Sequence, residues 1–135
     1  MPVLSSVLLV DDDSTTNFLH KALLIRMGIV EQVLTAENGE QALRTLGQTC
    51  LGPESKACPQ LILLDMNMPV LNGLGFLEVY AQLPLVQQRT IVIVMLTTSL
   101  HPTDQARAEQ LPIAGFLNKP LTKEKVTALL QQHFT

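Results

Sequence analysis

Residues 61–69 read Leu-Ile-Leu-Leu-Asp-Met-Asn-Met-Pro, a β-type apolar run that ends abruptly on Asp65 and gives way to a turn containing Pro69 and Gly73. A carboxylate at the tip of a buried strand is costly to desolvate, so its presence there points to chemistry rather than packing. A second run, Ser6-Val7-Leu8-Leu9-Val10, ends in the same way on Asp11, Asp12 and Asp13. Two acidic strand ends in one small chain predict a shared site.

Outward from these two runs, strand and helix signals alternate along the chain. Residues 5–10 are strand-like, and Ser14, Thr15 and Thr16 offer capping hydroxyls to a helix that runs to Met27 and stops at Gly28. Glu31–Ala36 reads as a second strand, Gly39–Leu46 as a second helix and Leu61–Leu64 as the third strand. Leu74–Leu83 is helical up to Pro84, and Thr90–Leu96 is the most continuous β run of the chain. Pro102–Gln110 follows as a short polar helix, Ile113–Leu117 as a fifth strand, and Thr122 caps an amphipathic helix that reaches about Phe134.

Five βα units with strands apolar on both faces predict an α/β fold, a doubly wound five-stranded parallel sheet with helices on both faces. Such sheets place their sites beyond the carboxyl ends of the strands. Asp11 and Asp12, Asp65, Thr97 and Lys119 all fall at such ends and should converge on one edge. The segment Gly47–Gln60, rich in Gly, Pro and polar residues, is longer than ordinary connections and is expected to be a surface loop.

Bulk composition narrows the function. A chain of 135 residues, 47% hydrophobic and 16% charged, suits one domain spanning 1–135, and no uninterrupted apolar stretch approaches a bilayer span. Nine basic against twelve acidic residues, a net charge of -3 and no basic stripe argue against direct nucleic-acid binding. The N-terminus lacks the features of a signal peptide, so a cytoplasmic location is expected. Cys50 and Cys58 have no companion Cys or His at zinc spacing and are expected as reduced thiols. His20, His101 and His133 fall at no strand end, which favours surface or helix-face roles.

Three carboxylates brought within a few ångströms raise one another's pKa, and a divalent cation resolves the conflict. All-oxygen ligation with room for phosphate oxygens fits Mg2+ better than zinc. Asp65, alone on the central strand, is the expected nucleophile, because carboxylates can form acyl phosphates. Lys119 brings a compact positive charge for a phosphoryl oxygen, and Thr97 a hydroxyl that can donate to another. An isolated acidic triplet is usually a solvated turn, but the company of Asp65, Thr97 and Lys119 favours a phosphoryl-acceptor site. Asp13 is better read as a helix cap or first-turn charge.

In order and spacing, VLLVDDD, LLDMNMPVLNG, VIVMLTT and GFLNKP resemble the motifs of bacterial two-component response-regulator receiver domains of the chemotaxis-regulator type, across essentially the whole chain. The resemblance implies a flavodoxin-like (βα)5 receiver fold and a phosphorylation-dependent switch of a two-component system or phosphorelay; a single-domain regulator is expected, and a chain cut from a longer regulator would read the same. By position it implies Asp65 as phosphoacceptor, Asp12 as a direct Mg2+ ligand, Asp11 as a ligand through water, and Asn67 as a ligand through its backbone carbonyl. Thr97 and Phe116 match the family's switch pair, Lys119 its lysine, and Lys119-Pro120 a peptide that is usually cis. The implied partners are a histidine kinase or histidine phosphotransfer protein as donor and a downstream protein, reached through the surface of the fourth helix, fifth strand and last helix or by relaying the phosphoryl group onward. Phe18, near the acidic edge, is either a donor contact or core. Asn67 and Ser99 occupy positions that tune dephosphorylation in the family.

Two alternatives remain at this point. A receiver-like scaffold that is never phosphorylated usually loses the acceptor, an acid or the lysine, and all are present here. An aspartyl-nucleophile phosphatase wants a second Asp two residues after the first, where this chain has Asn67, which argues against a dedicated enzyme.

Overall fold

The computed structural model describes residues 3–52, 55–66, 68, 70–83, 91–98 and 102–134. Among these, β1 (Leu4–Val10), α1 (Ser14–Met27), β2 (Val30–Ala36), α2 (Gly39–Thr49), β3 (Leu61–Asp65), α3 (Gly73–Tyr80), β4 (Val92–Thr97), α4 (Pro102–Glu109), β5 (Gly115–Asn118) and α5 (Lys123–His133) follow in turn. The strands form one sheet in the order β2-β1-β3-β4-β5, parallel at every pairing. This is the doubly wound α/β sheet expected from the alternating pattern.

Side chains alternate across a strand, so each strand supplies both cores. Leu8 and Val10, Ile62 and Leu64, and Ile93 and Met95 face a cluster completed by Ala42 and Leu46 of α2, Phe76, Leu77 and Tyr80 of α3, and Ala108 of α4. Val7 and Leu9, Leu61 and Leu63, and Val94 and Leu96 face the other way, onto Leu24 of α1 and Val126, Leu129 and Leu130 of α5. All five β3 residues are buried, as a central parallel strand requires. Tyr80 stacks on Phe76 with ring centroids 5.9 Å apart, and burial pushes its phenol up to about 12.

The helix ends meet expectation at Asp13 and Gly28 and depart from it elsewhere. The cap of α1 is Asp13, whose carboxylate accepts from the Thr15 N–H and the Thr16 hydroxyl, so the hydroxyls of residues 14–16 lie inside the first turn rather than before it. Gly28 closes the helix in the left-handed conformation, φ 67°, and its N–H donates to Ile25 O. Helix α2 passes through Gly47 to Thr49, because the chain stays helical until the Cys50 N–H reaches Leu46 O. Helix α3 stops at Tyr80 and finishes in a turn whose Gln82 and Leu83 N–H groups donate to Val79 O and Tyr80 O.

Cys50 and Cys58 are not reduced thiols: their sulfurs are bonded, with the Cα atoms 4.5 Å apart. The end of α2 and the approach to β3 turn back on each other, which carries Cys58, fully buried, against the core beside Cys50. Spacing to other Cys or His could not reveal this. The loop is therefore clipped at its base, and it is further held by the Ser55 hydroxyl donating to Thr49 O.

Candidate functional site

Strand register builds the site. Val10 pairs with Leu64, so the next residues, Asp11 and Asp65, emerge side by side where the chain passes from β1 out to β2 and back to β3. Asp65 pairs with Leu96, and Thr97 with Asn118, which leaves Lys119 one step beyond β5 on the same edge. That edge is the topological switch point at which parallel sheets bind ligands.

Carboxylate oxygens of Asp11, Asp12 and Asp65 lie within 4.8 Å of one another. Asp11 and Asp65 are buried while Asp12 is exposed, so the cluster opens to solvent on the Asp12 side. Lys119 Nζ donates to Asp11 Oδ2 at 2.6 Å and pairs with Asp65 Oδ1 at 3.1 Å. The other Asp11 oxygen accepts from the Asp13 N–H at 2.9 Å. Both Asp11 oxygens are thus engaged by the protein, whereas Asp12 presents a carboxylate to solvent.

Charge balance at this edge is incomplete, with three carboxylates facing one ammonium. Desolvation raises the Asp65 carboxyl above its ordinary value, repulsion from Asp11 and Asp12 adds to the rise, and the Lys119 hydrogen bond and charge oppose it. Burial works against the charged form of Lys119, but its hydrogen bonds to Asp11 and Asp65 outweigh this and hold it above its ordinary value. A divalent cation among these oxygens would relieve the remaining repulsion, and an all-carboxylate donor set with an open side fits Mg2+.

Local structure fixes each element of the site. The Gly73 N–H donates to Met66 O, and a Cβ on Gly73 would stand 2.7 Å from Asp65 O, so the start of α3 presses directly on the strand end that carries Asp65. The Lys119 N–H donates to Thr97 O at 2.9 Å, tying the lysine's backbone to β4, and the Lys119–Pro120 peptide is cis. Lys125 Nζ braces the same turn through Asn118 O at 2.7 Å and Pro120 O at 3.0 Å. Thr97 is buried at the end of β4, and Phe116 is half-buried on β5, packed against the α2–α3 side of the core. Asn67 and Ser99, with His101, lie outside the described residues.

Asp11, Asp12, Asp65 and Lys119 therefore meet as sequence reasoning expects, with Thr97 at the neighbouring strand end. Phe18 is no core residue; it is 70% exposed on α1, next to Leu19 at 58%. His20 lies on the inward face of that helix and lines a groove with Leu23, Lys119, Pro120 and Leu121. Burial holds its imidazole below the ordinary value, with Asp11 opposing and Lys119 adding to the effect. Sequence reasoning missed Asn17 and Lys125. No local pattern marks Asn17; its place with His20 and Leu24 on the buried stripe of α1, a polar residue at a core position, is visible only in the fold.

Comparisons with known proteins agree with this geometry. The response regulator receiver domain family matches residues 7–131. A probable chemotaxis protein CheY of Rhizobium etli is 30% identical over 128 residues, covering 95% of this chain and 91% of its own. The two-component response regulator ARR22 of Arabidopsis thaliana is 30% identical, with 97% of this chain and 84% of its own covered. Among solved structures, a two-component response regulator from Cytophaga hutchinsonii superposes with a TM-score of 0.83 at 28% identity, covering 98% of this chain and 97% of that one. The chemotaxis protein CheY4 of Vibrio cholerae gives 0.77 at 28% identity, over 96% and 98% of the two chains. With its acidic edge, its lysine and its doubly wound sheet, the chain belongs to the response regulator receiver domain family, the phosphorylation switches of two-component signalling.

Proposed function

We propose that Asp65 is the phosphoacceptor of this receiver, and that it works with a Mg2+ ion held directly by Asp12 and Asp65, by Asp11 through water, and by the backbone carbonyl of Asn67. The observation that carries this reading is the convergence of Asp11, Asp12 and Asp65 within 4.8 Å, with Lys119 Nζ bonded to two of them. When bound, Mg2+ would draw charge off the phosphoryl oxygens as the transition state spreads it over them.

The protein's own groups supply the rest. An Asp65 carboxylate oxygen attacks phosphorus, the bond from phosphorus to the donor imidazole nitrogen breaks, and that nitrogen keeps the electron pair. Lys119, now shared between Asp11 and Asp65, moves its charge onto a phosphoryl oxygen as the product forms. Thr97 is the hydroxyl that senses the group, with Phe116 as the ring that follows it. A hydrogen bond to a charged group contributes about 1.5–3 kcal/mol, whereas swinging a two-state equilibrium from about 1:99 to 99:1 takes about 5.5 kcal/mol. Thr97 and Lys119 acting together approach that figure; Thr97 alone does not.

Receiver domains are signalling domains rather than dedicated enzymes, and they act with histidine kinases or phosphotransfer proteins and with downstream proteins. For this chain the phosphodonor is a phosphohistidine protein docking over exposed Phe18 and Leu19 beside the acidic edge. The output is a protein contact on the α4–β5–α5 side, without direct nucleic-acid binding. Among the described residues no helix is long and apolar enough to cross a membrane.

Incubation with acetyl phosphate tests the reading by intact mass. The expected result is one phosphoryl group gained with Mg2+, none with EDTA, and none in Asp65→Asn. Sustained multiple-turnover release of phosphate would favour a phosphatase, and no modification even with a phosphohistidine donor would favour a scaffold.

A further inference from the structure

Asn17 is 5% exposed, and its carboxamide sits under the corner where β1 turns into the acidic triplet. Its Nδ2 donates to Asp11 O at 2.9 Å and to Ala36 O at 3.2 Å, so one amide group joins the carboxyl ends of β1 and β2. Both partners are carbonyls, which only the NH2 side of the amide can satisfy, so the orientation of the group is fixed. The Asn17 N–H also donates to Asp13 O, and the Asp13 N–H to Asp11 Oδ1. The Asp11 carbonyl, the Asp11 carboxylate and the first turn of α1 therefore form one connected unit.

The arrangement has a cost beside its two hydrogen bonds. The Asn17 Oδ1 atom is buried and has no hydrogen-bond partner, a destabilising feature that an apolar side chain on the same inward stripe as Leu24 would avoid. Among the described residues, Ser6 Oγ is the other such atom. A polar group kept at a core position despite an orphaned acceptor calls for a reason, and the Asp11 carbonyl is what it holds.

We propose that Asn17 is a positioning residue of the acidic site: by clamping the Asp11 carbonyl to the end of β2, it sets the approach of the Asp11 and Asp12 carboxylates and hence the affinity for a divalent cation. The inference rests on the Mg2+ site put forward above. Groups that orient metal ligands typically change affinity by about 10–100-fold when removed.

Calorimetric titration with Mg2+ alone tests it on the wild type, Asn17→Leu and Asn17→Ala, with urea midpoints recorded in EDTA. The leucine variant removes donor and orphan together, while alanine lets water reach the carbonyls and stands in if leucine fails to fold. Expected is a Kd raised about 10-fold in the folded variants, together with faster amide exchange of Asp13 in the metal-free protein. Variants that bind Mg2+ as the wild type does, differing only in urea midpoint, would overturn the positioning role and leave the site intact. A wild type that binds no Mg2+ would overturn the site itself.

Discussion

Replacing a glycine by alanine should have opposite consequences at two positions of this fold, and the difference measures how tightly the acidic edge is built. Gly47 lies within α2, and a Cβ there would meet nothing within 4 Å. Alanine at an open helical position stabilises by about 0.5–1 kcal/mol, through the backbone freedom it removes from the unfolded chain. At Gly73 the added carbon would stand 2.7 Å from Asp65 O, 3.2 Å from Met66 Cα and 3.3 Å from Met95 Cε. The first two are backbone atoms and cannot rotate away. Ordinary van der Waals contact begins at 3.4 Å, so α3 and the β3 end must separate by about 0.7 Å. Overpacking of this kind costs about 1–3 kcal/mol, and at the first residue of α3 little helix propensity offsets it. A site needs its groups within about 0.5 Å of productive geometry, so the same shift misplaces Asp65. Urea denaturation should show Gly47→Ala more stable than wild type and Gly73→Ala less stable by about 1–3 kcal/mol. Acetyl phosphate labelling should slow at least tenfold in Gly73→Ala alone. Equal stability changes at the two positions, or wild-type labelling in Gly73→Ala, would refute the claim that α3 positions Asp65.

Three further outcomes follow from the charges and the cross-link. Because the Asp65 carboxyl is raised in the fold by desolvation first and by Asp11 and Asp12, the native state binds more protons than the unfolded chain between the ordinary value of 3.8 and the raised one. Stability in EDTA should therefore fall as pH rises through that window, Asp65→Asn should flatten the fall, and identical urea-midpoint profiles for the two proteins would contradict it. Lys119→Met leaves Asp11 and Asp65 facing each other without their shared cation. Breaking a buried ion pair in this way costs about 3–5 kcal/mol, and the 18% exposure of the Lys119 side chain places the expected loss near the lower end. Mg2+ should restore more stability to this variant than it adds to the wild type; an equal increment in both would mean that lysine and metal do not share the site. Reduction of the Cys50–Cys58 bond, which spans a sequence separation of 8, should lower stability by about 2.5 kcal/mol on the chain-entropy account. Unchanged urea midpoints in dithiothreitol, with thiol release verified, would show that the loop is held by its other contacts.

Much of this site was legible because it is written in strand ends. A parallel sheet aligns its carboxyl termini, so apolar runs ending on Asp11 and Asp65 had to bring those residues to one edge once the strand order was set. The same logic extends to Thr97 and Lys119, which need no long-range pairing information beyond the alternation of strands and helices. What escaped depends on distances between segments that no local pattern encodes. The bond between Cys50 and Cys58 exists because the end of α2 turns back toward β3, and Gly47 passes for a helix stop until the burial of Leu46 and the bond from Cys50 to it are seen. Asn17 looks like an ordinary polar helix residue until its partners, the Asp11 and Ala36 carbonyls, are known.

The destination of the phosphoryl group is the most direct test of the site. Protein labelled by acetyl phosphate in Mg2+, digested at low pH and mapped by tandem mass spectrometry, should carry a single phosphoryl group on the peptide containing Asp65, with labelling abolished by EDTA. A phosphoryl group on Asp11, on Asp12 or on a histidine, or labelling indifferent to EDTA, would contradict it.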